Sequence, residues 1–387
     1  MQLALAHEYF SVRGGAERVV DVLHDMWPQA PVFTFFHDRR AYGDLPGWDL
    51  RTSFLQQFPI GGGAHRVLLP LYPRAARSLR VPSDMDAVLT STSAFIKGLS
   101  LAERTVHVAY CHSPTRYLWD WSDRYLEEEV PAPLRGLVSG LLVGLRADDR
   151  AFAGRVDRWV ANSTVVQERI ARYYGAESEV VNPPIEVDEF APAETRGDFW
   201  VCMPSRLVAY KRAEIAVQAF NEVGLRLIVV GDGRERAALE RIARENVTFA
   251  GRVSRETIRE LLGAARGLIF PTEDDFGMVC AEALASGAPV VALARGGARE
   301  IVLHGENGLL VDEAEPGAFA AAVTQVERTG FDVGRLRASA RRFDRPVFEK
   351  RIREIMKDAG RRGRALPERP AGPPGALAAE GSEGTGV

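Results

Sequence analysis

Pro271-Thr272-Glu273-Asp274-Asp275-Phe276-Gly277-Met278-Val279-Cys280-Ala281-Glu282-Ala283-Leu284-Ala285-Ser286-Gly287-Ala288-Pro289-Val290 reads as a loop, then an apolar helix, then the start of a strand. Asp274 falls in the loop and Glu282 eight positions later in the helix, so both can reach a ligand lying over the helix N-terminus. Between them, Phe276-Gly277-Met278-Val279 offers backbone N–H groups at the positive end of the helix dipole, a natural seat for diphosphate oxygens. Carboxylates cannot themselves hold phosphate, so Asp274 and Glu282 suit the hydroxyls of a sugar or ribose. A loop acid beside a solvated helix glutamate is the plainer reading of the same run.

Working outward, this strand, loop and helix unit recurs. Apolar runs at 199–204, 225–230, 247–250, 267–270, 290–292 and 309–311 read as strands. Helical patterns at 213–223, 234–244, 255–265 and 279–286 separate them. The first half has the same rhythm: strands at 2–7, 30–36, 87–91, 105–110 and 158–161, with a glycine turn and a helix at 16–27 after the first. The expected fold is therefore α/β, two Rossmann-like, doubly wound parallel-sheet domains facing across a cleft. With 387 residues the chain is long enough for two such cores. The expected boundaries are an N-terminal, acceptor-side domain over 1–184, a linker over 185–198 and a nucleotide-sugar-binding domain over 199–345. A C-terminal helix over 346–360 could cross back to the first domain. A tail over 361–387, rich in Arg, Pro, Gly, Ala and Glu, reads as disordered.

Bulk properties exclude several classes. A hydrophobic share of 46% with 26% charged residues is that of a globular protein, and a net charge of -3 argues against nucleic acid as a partner. Cys111, Cys202 and Cys280 are odd in number and far apart, which suggests neither a disulfide framework nor a zinc site. The first residues read as a strand too brief for a signal sequence, and the apolar stretch around 137–145 falls well short of a bilayer span. A cytoplasmic protein is the expectation.

Further residues point to the same chemistry. Arg206 and Lys211 follow a strand and can turn into the cleft, where their charge would neutralise a departing diphosphate. Gly14-Gly15 ends the first strand ahead of a helix, where missing side chains let backbone approach a ligand; a plain tight turn has the same sequence. His112, in Tyr110-Cys111-His112-Ser113-Pro114-Thr115-Arg116-Tyr117-Leu118-Trp119, follows a strand. Two patterns point elsewhere and are set aside. Asp84-Met85-Asp86 has the D-x-D form of a metal site but lies far from the acidic run. Val230-Gly231-Asp232-Gly233 starts like a dinucleotide loop, yet Arg236 stands where the third glycine belongs.

The acidic run, with Phe276-Gly277 and Glu282-Ala283-Leu284-Ala285-Ser286-Gly287-Ala288-Pro289-Val290, resembles the signature of the retaining GT-B glycosyltransferases grouped as family 4. The resemblance extends through Pro204-Ser205-Arg206-Leu207 with Lys211, Gly251-Arg252-Val253 and Asn307-Gly308-Leu309-Leu310-Val311. It implies that Arg206 and Lys211 bind the donor diphosphate, that Ser205 contacts the donor and that the loop with Val253 holds the nucleotide base largely through its backbone. It also implies that Gly14 and Gly15 approach the donor, and that His112 touches the donor sugar near the reacting bond. The catalytic set it implies is His112, Arg206, Lys211 and Asp274. The donor-binding set is Gly14, Gly15, Ser205, Arg206, Lys211, Val253, Asp274, Phe276, Gly277, Met278, Val279 and Glu282, with no metal and no cofactor beyond the nucleotide diphosphate-sugar co-substrate. One departure is Asp274, where the family usually has Glu.

The expected reaction is hexosyl transfer with retained configuration to a hydroxyl of a glycan, lipid-linked or small-molecule acceptor. No acid is placed as a nucleophile, so same-face attack with the leaving phosphate taking the acceptor's proton is favoured. The Cys111 to Trp119 stretch and Gly14-Gly15-Ala16-Glu17-Arg18 look like those of bacterial mannosyltransferases for surface polysaccharides, which makes GDP-mannose the leading donor. Arg66, Arg74, Arg77 and Arg80, set among apolar residues over 67–79, could rest on the inner membrane face. A sugar-nucleotide epimerase or hydrolase of the same architecture, or a non-catalytic sugar-nucleotide sensor, stays open as an alternative.

Overall fold

A computed structural model of the chain describes residues 1–59 and 67–363. The N-terminal half runs β1 (Leu3–His7), α1 (Gly15–Met26), β2 (Val32–Thr34), α2 (Arg39–Tyr42), β3 (Leu50–Thr52), α3 (Tyr72–Ser78), β4 (Ala87–Thr92), β5 (Val106–Cys111), α4 (Ser122–Glu129), α5 (Arg135–Ala153), β6 (Arg158–Ala161), α6 (Thr164–Tyr174) and β7 (Ser178–Val180). The C-terminal half runs β8 (Phe199–Arg206), α7 (Ala213–Val223), β9 (Arg226–Asp232), α8 (Arg236–Ile242), β10 (Val247–Gly251), α9 (Arg255–Ala264), β11 (Leu268–Phe270), α10 (Met278–Ala285), β12 (Val290–Leu293), α11 (Ala298–Ile301) and β13 (Gly308–Val311). It closes with α12 (Pro316–Thr329), α13 (Val333–Ala340) and α14 (Arg345–Gly363).

Each half is one parallel sheet, ordered β3-β2-β1-β4-β5-β6-β7 in the first and β10-β9-β8-β11-β12-β13 in the second. Strands covered by helices on both faces are buried on both, which is why β1, β4, β5 and β12 read as continuous apolar runs rather than alternating ones. Both sheets reverse direction beside their first strand, between β1 and β4 and between β8 and β11. The crevice outside the carboxyl ends of the strands at such a reversal is where open α/β sheets bind ligands. Two Rossmann-like domains in the GT-B arrangement thus each offer one such crevice. His7 and Ser91 border the first, Arg206 and the loop ahead of α10 the second.

The domain cores are separate, and the last helix packs into the first. Phe348, Ile352, Ile355 and Met356 of α14 are buried in one cluster with Leu3, Leu5 and Tyr110 of the first sheet. Arg345, at the start of α14, pairs with Asp25 and Glu186 at 3.0 and 3.1 Å. The chain therefore leaves the second domain and finishes on the first. The helix runs to Gly363 rather than ending at 360, although its buried apolar face ends at Ala359. Residues 361–363, assigned to the tail from sequence, extend it; the rest of that segment, and Arg66, lie outside the described residues. In the segment 185–198, Ile185, Val187 and Phe190 are buried in the second core, and Ile185 bridges to Asp344.

The two misleading motifs resolve into packing. Asp86 accepts the Gln2 N–H at 2.8 Å, at the edge of the sheet opposite the crevice. Gly231 and Gly233 let β9 lie against β8: an added Cβ would stand 2.9 Å from the Ser205 carbonyl oxygen in one case and 2.3 Å from that of Leu207 in the other.

One buried ion pair secures the loop after β5. Lys97 and Asp149, 2% and 0% exposed in their side chains, meet at 2.6 Å. Asp149 also accepts hydrogen bonds from Thr115, Trp119 and Tyr174, each at 2.9 Å. Asp149→Ala would leave the ammonium buried and alone, a loss of about 3–5 kcal/mol. The double variant Lys97→Met/Asp149→Ala is expected to recover part of it, and thermal unfolding of the set measures this. Equal destabilisation in both would show that the charge is not what matters.

Candidate active site

The left-handed backbone at Gly277, φ 90°, starts α10 without a side-chain cap, so the helix presents its first N–H groups to the cleft. Phe276 just before it is buried and packs edge-on against Phe343 at 5.4 Å. Its ring belongs to the core, and only its backbone can serve a ligand. Across the gap lies the N-terminus of α1: an added Cβ on Gly15 would stand 3.0 Å from Met278 Sδ. Two helix N-termini, one from each domain, thus converge. That of α1 is already satisfied in part, since Glu17 accepts the Gly14 N–H at 2.9 Å.

Glu282 lies under this junction and is buried. Arg18 of α1 reaches it at 2.5 Å and Arg255 of α9 at 3.3 Å, while the other Arg18 nitrogen touches Met278 Sδ at 3.2 Å. Burial by itself would raise the pKa of the Glu282 carboxyl. The two guanidiniums outweigh it and hold the group below the ordinary carboxylate range. Asp274 meets Lys211, whose ammonium reaches both carboxylate oxygens at 2.7 Å.

Arg206 is exposed at the rim and donates to the Tyr210 hydroxyl at 2.8 Å. Its aim is set by a β-bulge in β8, where the register shifts between Cys202 and Ser205 and Ser205 takes φ 62°. Tyr210 packs against Trp121 of the first domain at 4.7 Å, and Arg116 lies 3.5 Å over the Trp121 ring. Val253 is half-buried beside the second core, next to Gly251 at φ 70°. His112 stands at the end of β5, partly buried, with Nε2 2.7 Å from Ser91 Oγ. Loss of water, with His7 close by, pushes its pKa down to about 3, so the ring is neutral at physiological pH.

The structure therefore brings Ser205, Arg206, Lys211, Asp274, the 276–279 backbone and Glu282 to the carboxyl edge of the second sheet, with Gly14 and Gly15 opposite. Three features escaped the sequence reading. Arg18 and Arg255 hold Glu282; the available signal was that a buried carboxylate needs a cation. Asp275 is bound by Arg169 of α6 and lies 3.6 Å from Arg116. Glu300 of α11 accepts from the Thr164 N–H at 2.5 Å, capping α6 across the domain boundary.

With this geometry in view, the likenesses to known proteins can be placed. Residues 198–328 match the family model described as Glycosyl transferases group 1. The chain is 33% identical over 248 residues to a D-inositol 3-phosphate glycosyltransferase of Xylanimonas cellulosilytica, covering 56% of this chain and 57% of that one. It is 29% identical over 203 residues to the protein so named from Mycolicibacterium smegmatis, 46% and 47% of the two chains. The chain thus spans about half the length of the curated relatives it matches. In structure it is similar to Anabaena Alr3699/HepE in complex with UDP and glucose, with a TM-score of 0.66 at 20% identity over 92% of this chain and 99% of that one. It is also similar to the lipopolysaccharide outer core galactosyltransferase WaaB, with a TM-score of 0.62 at 15% identity over 92% and 99%.

The clamp on Glu282 has a defined pH dependence. Its folded pKa is depressed, so its contribution to stability is present above the ordinary carboxylate value and is lost as pH falls through the lower, folded one. Glu282→Gln should be less stable than the parent near neutrality by about 1–3 kcal/mol, and the gap should close on acidification. Unfolding of both proteins across the acid range tests this; a gap independent of pH would show that charge is not what holds Arg18.

Proposed function

We propose that the chain is a retaining glycosyltransferase that moves a hexose from a nucleoside diphosphate-sugar to an acceptor hydroxyl. The observation that carries this reading is the meeting of Lys211, Arg206 and the uncapped N-terminus of α10 at the carboxyl edge of β8 and β11. Positive groups there would hold a diphosphate as it leaves, and two acids beside them would take hydroxyls of the sugar and ribose. No carboxylate is free for nucleophilic attack among these residues, since Asp274, Asp275 and Glu282 are each ion-paired. That supports same-face attack through an oxocarbenium-like state, in which the departing phosphate takes the acceptor's proton. No metal is needed for this chemistry.

GDP-mannose is the leading donor on the motifs around Cys111 to Trp119. The UDP and glucose held by HepE make UDP-sugars the next to try, and the relatives' name makes an inositol phosphate an acceptor to include. A thermal-shift panel of UDP-, GDP- and ADP-sugars should show one nucleotide class that stabilises the protein, followed by acceptor-dependent release of the nucleoside diphosphate. Arg206→Ala should then lower kcat by about tenfold or more while changing donor affinity less, as loss of a group acting on leaving-group charge does. Nucleotide binding without turnover would favour the sensor reading, and donor isomerisation without acceptor the epimerase.

Contact with the inner membrane face is a further part of the proposal, and α3 does not carry it alone. Its Tyr72, Ala75 and Ala76 are buried, which leaves mainly Arg74 and Arg77 outward. Exposed apolar side chains lie outside α3, with Val67 ahead of it at 82% and Leu137 and Val143 of α5 at 76% and 60%. Leu137→Glu/Val143→Glu should abolish co-sedimentation with anionic phospholipid vesicles if this face rests on lipid. A parent protein that stays in the supernatant would remove the membrane from the reading.

A further inference from the structure

The crevice of the first sheet holds a chain of polar groups that, His112 apart, the reaction scheme above does not use. Glu17 Oε1 lies 3.5 Å from His7 Nε2, a contact of charge without a hydrogen bond, while His7 Nδ1 lies 3.1 Å from Ser91 Oγ and Ser91 Oγ 2.7 Å from His112 Nε2. Its members come from α1, the end of β1, the end of β4 and the residue after β5, so the topological reversal between β1 and β4 is what assembles them. His7 and Ser91 are 1% exposed. At the outer end, His112 Nδ1 has no partner among the described residues, and it is not among the atoms sealed from solvent. At the inner end, Glu17 is fixed by the Gly14 N–H at 2.9 Å.

Proton counting gives this chain a direction. A carboxylate only accepts, so with one proton on the His7 ring the charge of Glu17 draws it to Nε2. His7 Nδ1 is then bare and takes the hydroxyl proton of Ser91. With that proton spent, Ser91 Oγ can only accept from His112, whose proton must therefore sit on Nε2. The opposite arrangement would satisfy a longer approach, 3.3 Å from His7 Nδ1 to the Ser91 carbonyl oxygen. It would also set the bare Nε2 of a buried ring against a carboxylate, two acceptors facing each other without a proton between them. Asp21 of α1 is the other acid whose field reaches His7.

We propose that Ser91 and His7, anchored by Glu17, are positioning residues that hold His112 as the neutral Nε2–H tautomer with bare Nδ1 as a hydrogen-bond acceptor toward the cleft. The ligand group that suits such an acceptor is a hydroxyl, and a phosphate oxygen does not suit it. His112 thus reads a sugar hydroxyl and leaves the diphosphate to the second domain. Nothing in this assignment requires His112 to gain a charge, which agrees with a ring whose surroundings disfavour the imidazolium. The inference about the ligand rests on the proposed function; the inference about the tautomer does not.

The two are separable by experiment. Long-range ¹H–¹⁵N correlation spectra of the ¹⁵N-histidine-labelled full chain, with His112→Gln to assign the signal, read the tautomer directly. The expected result is an Nε2–H, Nδ1-bare pattern for His112 at neutral pH. In Ser91→Ala the pattern should move toward a mixture of tautomers, and in Ser91→Thr, which keeps the hydroxyl, it should return. With a donor and acceptor that turn over, Ser91→Ala should lower kcat by about tenfold with little change in donor KM, as expected when one oriented hydrogen bond to the transition state is lost, and Ser91→Thr should restore it. An Nδ1–H tautomer in the parent protein, or a Ser91→Ala protein with spectrum and kcat unchanged, overturns the proposal. A correct tautomer in a protein that turns over no donor would instead overturn the transferase reading and leave the positioning chain standing.

Discussion

Acidic side chains drawn into the closed space between two sheet edges must be neutralised there, and in this chain much of the neutralising partner set lies across the gap. Glu282 of the second domain is held by Arg18 of the first, Asp275 by Arg169, and Glu300 by the backbone and hydroxyl of Thr164. Removing a charge from water costs several kcal/mol unless a partner is supplied with good geometry. The relative placement of the two domains is consequently tied to the residues around the cleft, and α14 adds an apolar seam on the far side. On the proposed function, docking and ligand reading draw on some of the same atoms.

This constraint gives the cleft its chemical character. Lys211 and Arg18 are committed to protein acids, so an arriving anion must compete for them. Lys211 is shared with Asp274 and Arg18 with Glu282, whereas Arg206, among the described residues, makes a neutral hydrogen bond to Tyr210 at the rim. An anionic ligand therefore meets Arg206 most readily, then the uncapped α10 N-terminus, and only by exchange the buried cations. Trp121 against Tyr210 closes the same rim with an aromatic wall from the opposite domain.

The fold was legible where burial on both faces writes an uninterrupted apolar run. The strand at 158–161 and the helix at 213–223 were placed to the residue, and most other boundaries fell within two. The short edge strands β3 and β7 were not seen, because Arg51 and Glu179 interrupt them and an edge position tolerates such residues. In the cleft, the loop acid, the helix acid and the glycine between them could be found because their spacing along one helix carries the geometry. Arg18, Arg169 and Glu300 could not. Each acts on a residue more than a hundred positions away, and no local pattern in one sequence states which distant carboxylate a given arginine will meet. Ser91 and His7 were missed for the same reason: they become neighbours only when β1 and β4 pair, with His7 opposite Ser91 in the register.

The shortened acid at 274 acquires a physical meaning from its partner. Aspartate has one methylene fewer than the glutamate usual in the resembling family, so its carboxylate stays close to the loop, where Lys211 reaches both oxygens. With the ammonium in place, neither oxygen is fully available to a sugar hydroxyl. On the proposed function, a diphosphate that draws Lys211 toward itself would release Asp274 at the same moment. Recognition of the leaving group would then precede and enable recognition of the sugar, and a free sugar lacking the diphosphate would find the acid still engaged. A longer glutamate could reach past the lysine and read hydroxyls without that exchange. On that function, the single methylene would couple two recognition events that a longer side chain would leave independent.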